Sequence, residues 1–412
     1  MVESDTLTCL RNSGFSAYLC GFSAIDSLLG RETGSNVHIL TNADTADLAR
    51  LFDTLRFPGI DLADAALDSE KCTWCFHCTD SEKTAGQSEQ GTPFPAESRS
   101  PSFSLLEFYQ DCLTRTFFDP RGIYPLLSEF RKGNNRESAG ATEVLSGCLN
   151  PGVERNRAVM DAALILARYF PLDRETERRI MQITGLFGNL REGRSPGIEE
   201  QRLLLTGLLT SHNPCLGFEL LKSCGFIGKF WPELAVLDDV DHSKEFHPEG
   251  NVWNHTMETF RYRKAGFRSI HDLRLSLGLL LHDAGKPIAE SAGSRRFDGH
   301  AELGEFRARN FLERLGFGSA IVKDVCYLVR NHMLPAALPR LPLFRTGEIM
   351  ASPLFPVLME LYRCDESSSF KGLDGYYESS AAYQSFLKNR RNPYRSADGK
   401  KLNRVQISAM IR

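Results

Sequence analysis

The sequence has no apolar run near the ~20 residues that a bilayer-crossing helix needs, so a helical membrane protein is excluded. It has no basic excess either: 49 Lys and Arg stand against 52 Asp and Glu, for a net charge of -3. No global field therefore points to nucleic acid, and any such contact must use a local patch. The opening MVESDTLTCL lacks a basic stretch followed by an apolar one, so no secretory signal is expected and a cytoplasmic location is. The eleven cysteines are scattered and odd in number, which suits reduced thiols better than a disulfide framework. The densest group, CTWCFHC with Cys72, Cys75, His77 and Cys78, could begin a zinc knuckle. No second pair follows at finger spacing, so a strand with chance cysteines is the expectation.

At 412 residues with 42% hydrophobic and 25% charged residues, the chain is a soluble globular type too long for one core. Residues 18 to 57 alternate short apolar runs with helical pattern, giving strand, helix, strand, helix. Residues 80 to 104 and 131 to 151 are polar breaks, the first read as a loop or disordered insertion. Beyond them, segments such as RAVMDAALILARYF, LRLSLGLLLHD and ELGEFRARNFLERLGF repeat apolar residues at three and four, the helix period. The expected fold class is α+β: a small N-terminal α/β head over 1–130, a helical neck and body over 151–234, a helical domain over 235–370 and a tail over 371–412.

Metal-competent side chains concentrate in the helical half. His247 and His255 lie in FHPEGNVWNHTMETF, His282 and Asp283 in LLLHDAGKP, His300 in RFDGHAELG, His332 in LVRNHMLP and Asp365 in LMELYRCDE. Imidazole with carboxylate suits a divalent ion such as Mn, Fe, Co, Ni, Zn or Mg. His282 and Asp283 follow an apolar stretch at a helix end, where the dipole disfavours an anion and burial penalises it. A bound cation removes both conflicts. Side by side on a helix they project about 100° apart, so they can grip one ion from one side while His255 and Asp365 close it from the other. His247 and His271 read as solvated or capping residues.

These segments resemble the HD superfamily of metal-dependent phosphohydrolases. EGNVWNHTMETF, LLLHDAGKP, FDGHAELG and VRNHM are similar to the C-terminal HD domain of bacterial tRNA nucleotidyltransferases of the poly(A) polymerase family. That resemblance implies metal binding by His255, His282, Asp283 and Asp365, with Ni, Mn, Co or Mg as the ion. It implies that His300 and His332 serve a second ion or the substrate phosphate. Lys286 reads as a phosphate contact, so Asp283, Lys286, His300 and His332 form the expected catalytic set.

The head resembles the same family in degenerate form. GFSAIDSLLGRETGSNVHILTNADTADLARLF keeps Gly21, Asp26 and Arg31 of that family's nucleotidyltransferase signature. Its second glycine is Phe22, its arginine is Ile25, and its two metal carboxylates are Asn36 and His38. Nucleotidyl transfer needs carboxylates to hold two ions; Asn36 is neutral, and His38 is a poor Mg²⁺ ligand. Three readings follow. The first is an HD phosphohydrolase acting on nucleotide or RNA-end phosphoesters, with tRNA as a candidate partner and no membrane. The second is a working tRNA nucleotidyltransferase in which Asp26, Asp44 or Asp47 replaces the lost carboxylates, although Asp44 and Asp47 read as helix caps. The third is a non-catalytic RNA-binding protein.

Overall fold

Short β-branched and aromatic runs interrupted by glycine and polar turns favour strands over helices, and the N-terminal third of the chain uses them to build a sheet. The computed structural model describes residues 5–31, 36–57, 63–69, 72–79, 107–120, 155–169, 195–241, 250–263, 270–293, 297–369, 372–391 and 400–401. The polar breaks at 80–104 and 131–151, His247, and most of the tail beyond residue 391 lie outside the described residues. The chain divides into two units, Met1–Phe230 with Ala265–Asp272 and Arg314–Gly318, and Trp231–Lys264 with Leu273–Glu313 and Ser319–Arg412.

In the first unit, helix α1 (Asp5–Asn12) precedes strand β1 (Ala17–Cys20), α2 (Phe22–Leu28), β2 (Asn36–Thr41) and α3 (Thr45–Leu51). That is the strand, helix, strand, helix succession read from the sequence. Strands β3 (Ala65–Asp68), β4 (Thr73–Cys78), β5 (Tyr109–Asp111) and β6 (Phe117–Phe118) complete a sheet of order β3-β4-β2-β1-β5-β6. Only β2 and β4 pair in parallel; the other neighbours are antiparallel, so the class is α+β. The CTWCFHC segment is β4, and its cysteines are free. Period two sorts the side chains: Tyr18, Cys20, Leu40 and Tyr109 form one buried cluster, while Gln110 on the other face accepts a hydrogen bond from Ser27 of α2. Asp44 caps α3, accepting from the Asp47 backbone, while Asp47 accepts from the Asp44 backbone in return. Both carboxylates are thus engaged as caps.

Helix α4 (Arg155–Tyr169) carries AVMDAALILA, buried almost throughout, and packs with α5 (Ile198–Leu209) and α6 (Pro214–Ser223); α7 (Phe226–Phe230) ends the unit. The end of α4 meets the head. Arg168 Nη2 lies 2.5 Å from Asp26 Oδ2, and the Tyr169 hydroxyl donates to Asp26 Oδ1 at 2.9 Å. The Arg168 guanidinium lies 4.8 Å from the Phe22 ring centroid, and Arg31 stacks over Tyr169 at 5.0 Å. Asp26 is therefore a buried carboxylate with a mostly buried counter-charge. As a replacement metal carboxylate it is already committed.

In the second unit, α8 (Pro232–Ala235) and α9 (Val252–Thr259) lead into α10 (Ile270–Leu281), α11 (Lys286–Ser291), α12 (His300–Arg314) and α13 (Ser319–Asn331). Short α14 (Leu334–Ala337), α15 (Leu343–Met350), α16 (Phe355–Ser367) and α17 (Asp374–Arg391) follow. Trp231, Trp253, Phe311 and Phe355 are fully buried with the leucines of α10. Two glycines permit close approach. A Cβ on Gly278 would lie 2.9 Å from Leu361 and 3.1 Å from Leu328, and one on Gly285 would lie 2.0 Å from the His300 carbonyl oxygen. The second contact is against backbone, so the turn after α10 can rest on the start of α12 only because residue 285 has no side chain. No described helix is long and apolar enough to cross a membrane.

Asp26→Ala leaves Arg168 without its counter-charge. Removing one partner of a buried pair costs about 3 kcal/mol, and a urea melt of the variant is expected to show a loss of that order. An unchanged midpoint refutes the staple.

Candidate metal centre

Each expected ligand sits at a helix end or on a helix face of the second unit. His255 is on α9 and Asp365 on α16; His300 opens α12, and His332 immediately follows α13. His282 and Asp283 lie in the turn just past α10, not on the helix as the sequence suggested. The turn keeps their side chains together, His282 Nε2 lying 3.3 Å from Asp283 Oδ2, with His255 beside both.

Asp283 is the hinge of the group. Its Oδ2 lies 3.3 Å from His282 Nε2 and 3.9 Å from His255 Nε2, while its Oδ1 lies 3.5 Å from His300 Nε2 and 3.8 Å from His332 Nε2. Asp365 Oδ1 is 3.0 Å from His255 Nε2 and 3.9 Å from His282 Nε2. Two overlapping ligand groups result, His255–His282–Asp283 and Asp283–His300–His332, the ligand atoms within each falling inside 4.8 Å. The six expected residues converge, with one carboxylate shared between the two groups.

The ring nitrogens test whether a metal fits. His282 Nδ1 is 2.8 Å from the Leu279 carbonyl, His300 Nδ1 2.8 Å from that of Phe297, and His332 Nδ1 2.7 Å from that of Val329. A carbonyl only accepts, so each Nδ1 carries the proton and each Nε2 presents a lone pair in the neutral ring. His282 Nε2 is buried and makes no hydrogen bond. The Nε2 atoms of His300 and His332 face each other at 3.0 Å. Two lone pairs opposed at that distance repel, and either a shared proton or an ion bound beside both nitrogens relieves them. This is the outer-shell arrangement that orients histidine ligands, and the donor set fits a divalent transition ion.

The charges point the same way. Burial would raise the Asp283 carboxyl, but its neighbours His282 and Lys286 outweigh it and hold Asp283 well below the usual carboxylate range. Burial likewise opposes ionisation of Asp365, and the hydrogen bond from His255 with the neighbouring His282 overcomes it. Burial pushes His332 down to about 4, helped by His282, and burial lowers His300 against the pull of Asp283. Anionic carboxylates beside the neutral imidazoles of His300 and His332 are what a cation requires. Lys286 does not stand free as a phosphate contact: its Nζ ion-pairs with Asp283 Oδ2 at 2.6 Å, mostly buried. An uncompensated buried carboxylate draws the nearest ammonium.

In the head, no comparable ligand group occurs among the described residues. Asn36 opens β2, and Gly21, at φ 56, precedes α2. His38 stacks on His77 of β4, with ring centroids 5.3 Å apart and Nδ1 to Nε2 at 3.0 Å. Burial, then His77 and Arg168, push His38 down to about 3. The sequence had put His77 with the cysteines and gave no sign of the partners Arg168 and Tyr169. Parallel pairing, which sets Leu40 opposite His77, brings His77 to the His38 face. Only pairing across 39 and 142 residues reveals these contacts.

Two outcomes follow. Asp283→Ala removes the oxygen donors common to both groups, so purified variant analysed by elemental spectrometry is expected to have lost its divalent metal; wild-type content refutes the site. His38 is held neutral in the fold to about pH 3, whereas an unfolded histidine protonates near 6.5. Its share of stability is present above about pH 6.5 and is lost as pH falls below that value. His38→Leu is therefore expected to flatten the acid side of the stability profile, read by thermal melts, and an unchanged slope counts against it.

Residues 252–356 match the HD domain family. Over 142 residues the chain is 34% identical to a CC-adding tRNA nucleotidyltransferase of Thermus thermophilus, covering 34% of this chain and 32% of that protein. It is also 34% identical over 116 residues to a multifunctional CCA protein of Halorhodospira halophila, covering 28% of this chain and 27% of that one. The matches thus span about a third of the length of these relatives. Among solved structures, the Bacillus stearothermophilus CCA-adding enzyme in complex with CTP aligns with 93% of this chain and 80% of its own at 15% identity and a TM-score of 0.39, a likeness too loose to define a shared fold. Residues 252–356 match the HD domain family, and about a third of the chain is similar to proteins named as tRNA nucleotidyltransferase or CCA proteins.

Proposed function

We propose that the chain is a metal-dependent phosphohydrolase that uses the HD centre on nucleotide or RNA-end phosphoesters, on a tRNA nucleotidyltransferase-like scaffold. The observation that carries this reading is the convergence of four histidine Nε2 atoms on Asp283, that of His282 buried and without a hydrogen bond. His255, His282, Asp283 and Asp365 would hold one ion, with Asp283, His300 and His332 offering a second position. Ni, Mn, Co or Mg fits this mixed donor set, and the imidazole count favours the transition metals. A divalent ion there supplies a Lewis acid that polarises a phosphoryl oxygen and activates water. The chain's own part is orientation. Asp365 fixes the His255 ring, backbone carbonyls fix the other three, and Lys286 holds Asp283 in place until substrate phosphate draws its ammonium away.

A second reading has its own support. The relatives' names, CC-adding tRNA nucleotidyltransferase and multifunctional CCA protein, favour nucleotide addition to tRNA and back it better than they back hydrolysis. Against it stand Asn36 and His38 at the expected carboxylate positions, and Asp26, Asp44 and Asp47 already engaged. A cytoplasmic setting and a tRNA partner accord with either reading.

One pair of assays separates them. Wild-type protein with added Ni²⁺, Mn²⁺ or Co²⁺ is expected to hydrolyse 2′,3′-cyclic AMP or p-nitrophenyl phosphate, with activity lost on chelation and in His255→Ala. It is expected not to incorporate labelled CTP or ATP into tRNA lacking its 3′ end. Incorporation abolished by a head substitution, with no hydrolysis under any metal, reverses the order of the two readings.

A further inference from the structure

Three ring protons in the HD centre are parked on the carbonyl three residues earlier, but the three carbonyls have different origins. Leu279 and Val329 lie in the last turns of α10 and α13, where helix geometry leaves carbonyls without intrahelical partners. His282 and His332, each just past its helix, take them up at no conformational cost. His300 opens a helix, and no helix precedes it to offer such a carbonyl.

Phe297 stands in that place. Its φ is 55, and among the described non-glycine residues only Arg115 is also positive. For an aromatic residue this backbone is strained and persists only where its surroundings require it. The left-handed turn aims the Phe297 carbonyl at His300, where it accepts from the backbone N–H at 3.0 Å and from Nδ1 at 2.8 Å. Glycine would adopt this φ without strain, so the side chain earns its place by contact. Its ring centroid lies 5.6 Å from Lys286 Nζ, within cation–π range, and that ammonium is the one on Asp283.

We propose that Phe297 is a positioning residue of the HD centre: its left-handed carbonyl sets the His300 tautomer so that Nε2 faces Asp283 and His332, and its ring keeps Lys286 against Asp283. This rests on the reading of His300 as part of a metal centre. The tautomer is nonetheless readable without metal or substrate, so a chain that hydrolyses nothing still decides it.

The test is a long-range ¹H–¹⁵N correlation spectrum of metal-free, full-length protein near neutral pH, with the His300 signals assigned by their loss in His300→Gln. Wild type and Phe297→Gly are expected to show His300 protonated on Nδ1 alone. Phe297→Val, whose β-branch makes a positive φ a strong outlier, is expected to show both tautomers and to bind Co²⁺ about tenfold more weakly, the usual scale for a lost outer-shell partner. An Nε2-protonated His300 in wild type overturns the proposal. So does a Phe297→Val protein with wild-type tautomer and affinity, or a Phe297→Gly protein that loses the tautomer. If Phe297→Val does not fold, the other two spectra decide.

Discussion

A carboxylate with almost no exposure to water must find positive charge, and the second unit is organised around meeting that need at Asp283. Lys286 answers it directly at 2.6 Å. Four imidazoles approach it from α9, from the turn after α10, from the start of α12 and from beyond α13. Burial of an anion is costly unless it is paired or coordinated. The same burial makes the site selective for a cation, because it keeps His300 and His332 neutral.

Packing delivers this geometry. Gly285 has no room for a Cβ beside the His300 carbonyl, and Gly278 has none beside Leu361 and Leu328. These close approaches draw the turn carrying His282 and Asp283 onto the helix opened by His300. Helix ends contribute a second element: carbonyls of Leu279 and Val329, without partners inside their own helices, become acceptors for ring protons and so choose the nitrogen that faces inward. Close backbone contact places the ligands, and spare helix carbonyls orient them.

The head shows the opposite economy. Asp26 is satisfied by Arg168 and Tyr169, the Phe22 ring lies against the Arg168 guanidinium, and His38 and His77 occupy each other. Each of these groups is matched within the first unit. A carboxylate paired with a guanidinium attracts a cation far less than one ringed by imidazole nitrogens. This difference, more than the number of acidic residues, separates the two halves chemically.

Much of this was legible in sequence because it is local or periodic. The alternation in AYLC and NVHILT, the helix period of RAVMDAALILARYF, the Asp44 cap and the side-by-side His282 and Asp283 all depend on neighbours within a few residues. The candidate metal ligands stood out because histidine and aspartate at the end of an apolar stretch contradict its burial unless an ion resolves the conflict. What depended on contacts between distant segments did not show: Asp26 with Arg168, His38 with His77, the splitting of Asp283's oxygens between two groups, and Lys286 drawn onto Asp283 instead of standing free. Nor did the sequence reveal that a left-handed phenylalanine would aim a carbonyl at His300. Side-chain chemistry is written residue by residue, but a partner across tens of residues, a ring tautomer or a strained φ exists only once packing has fixed which atoms meet.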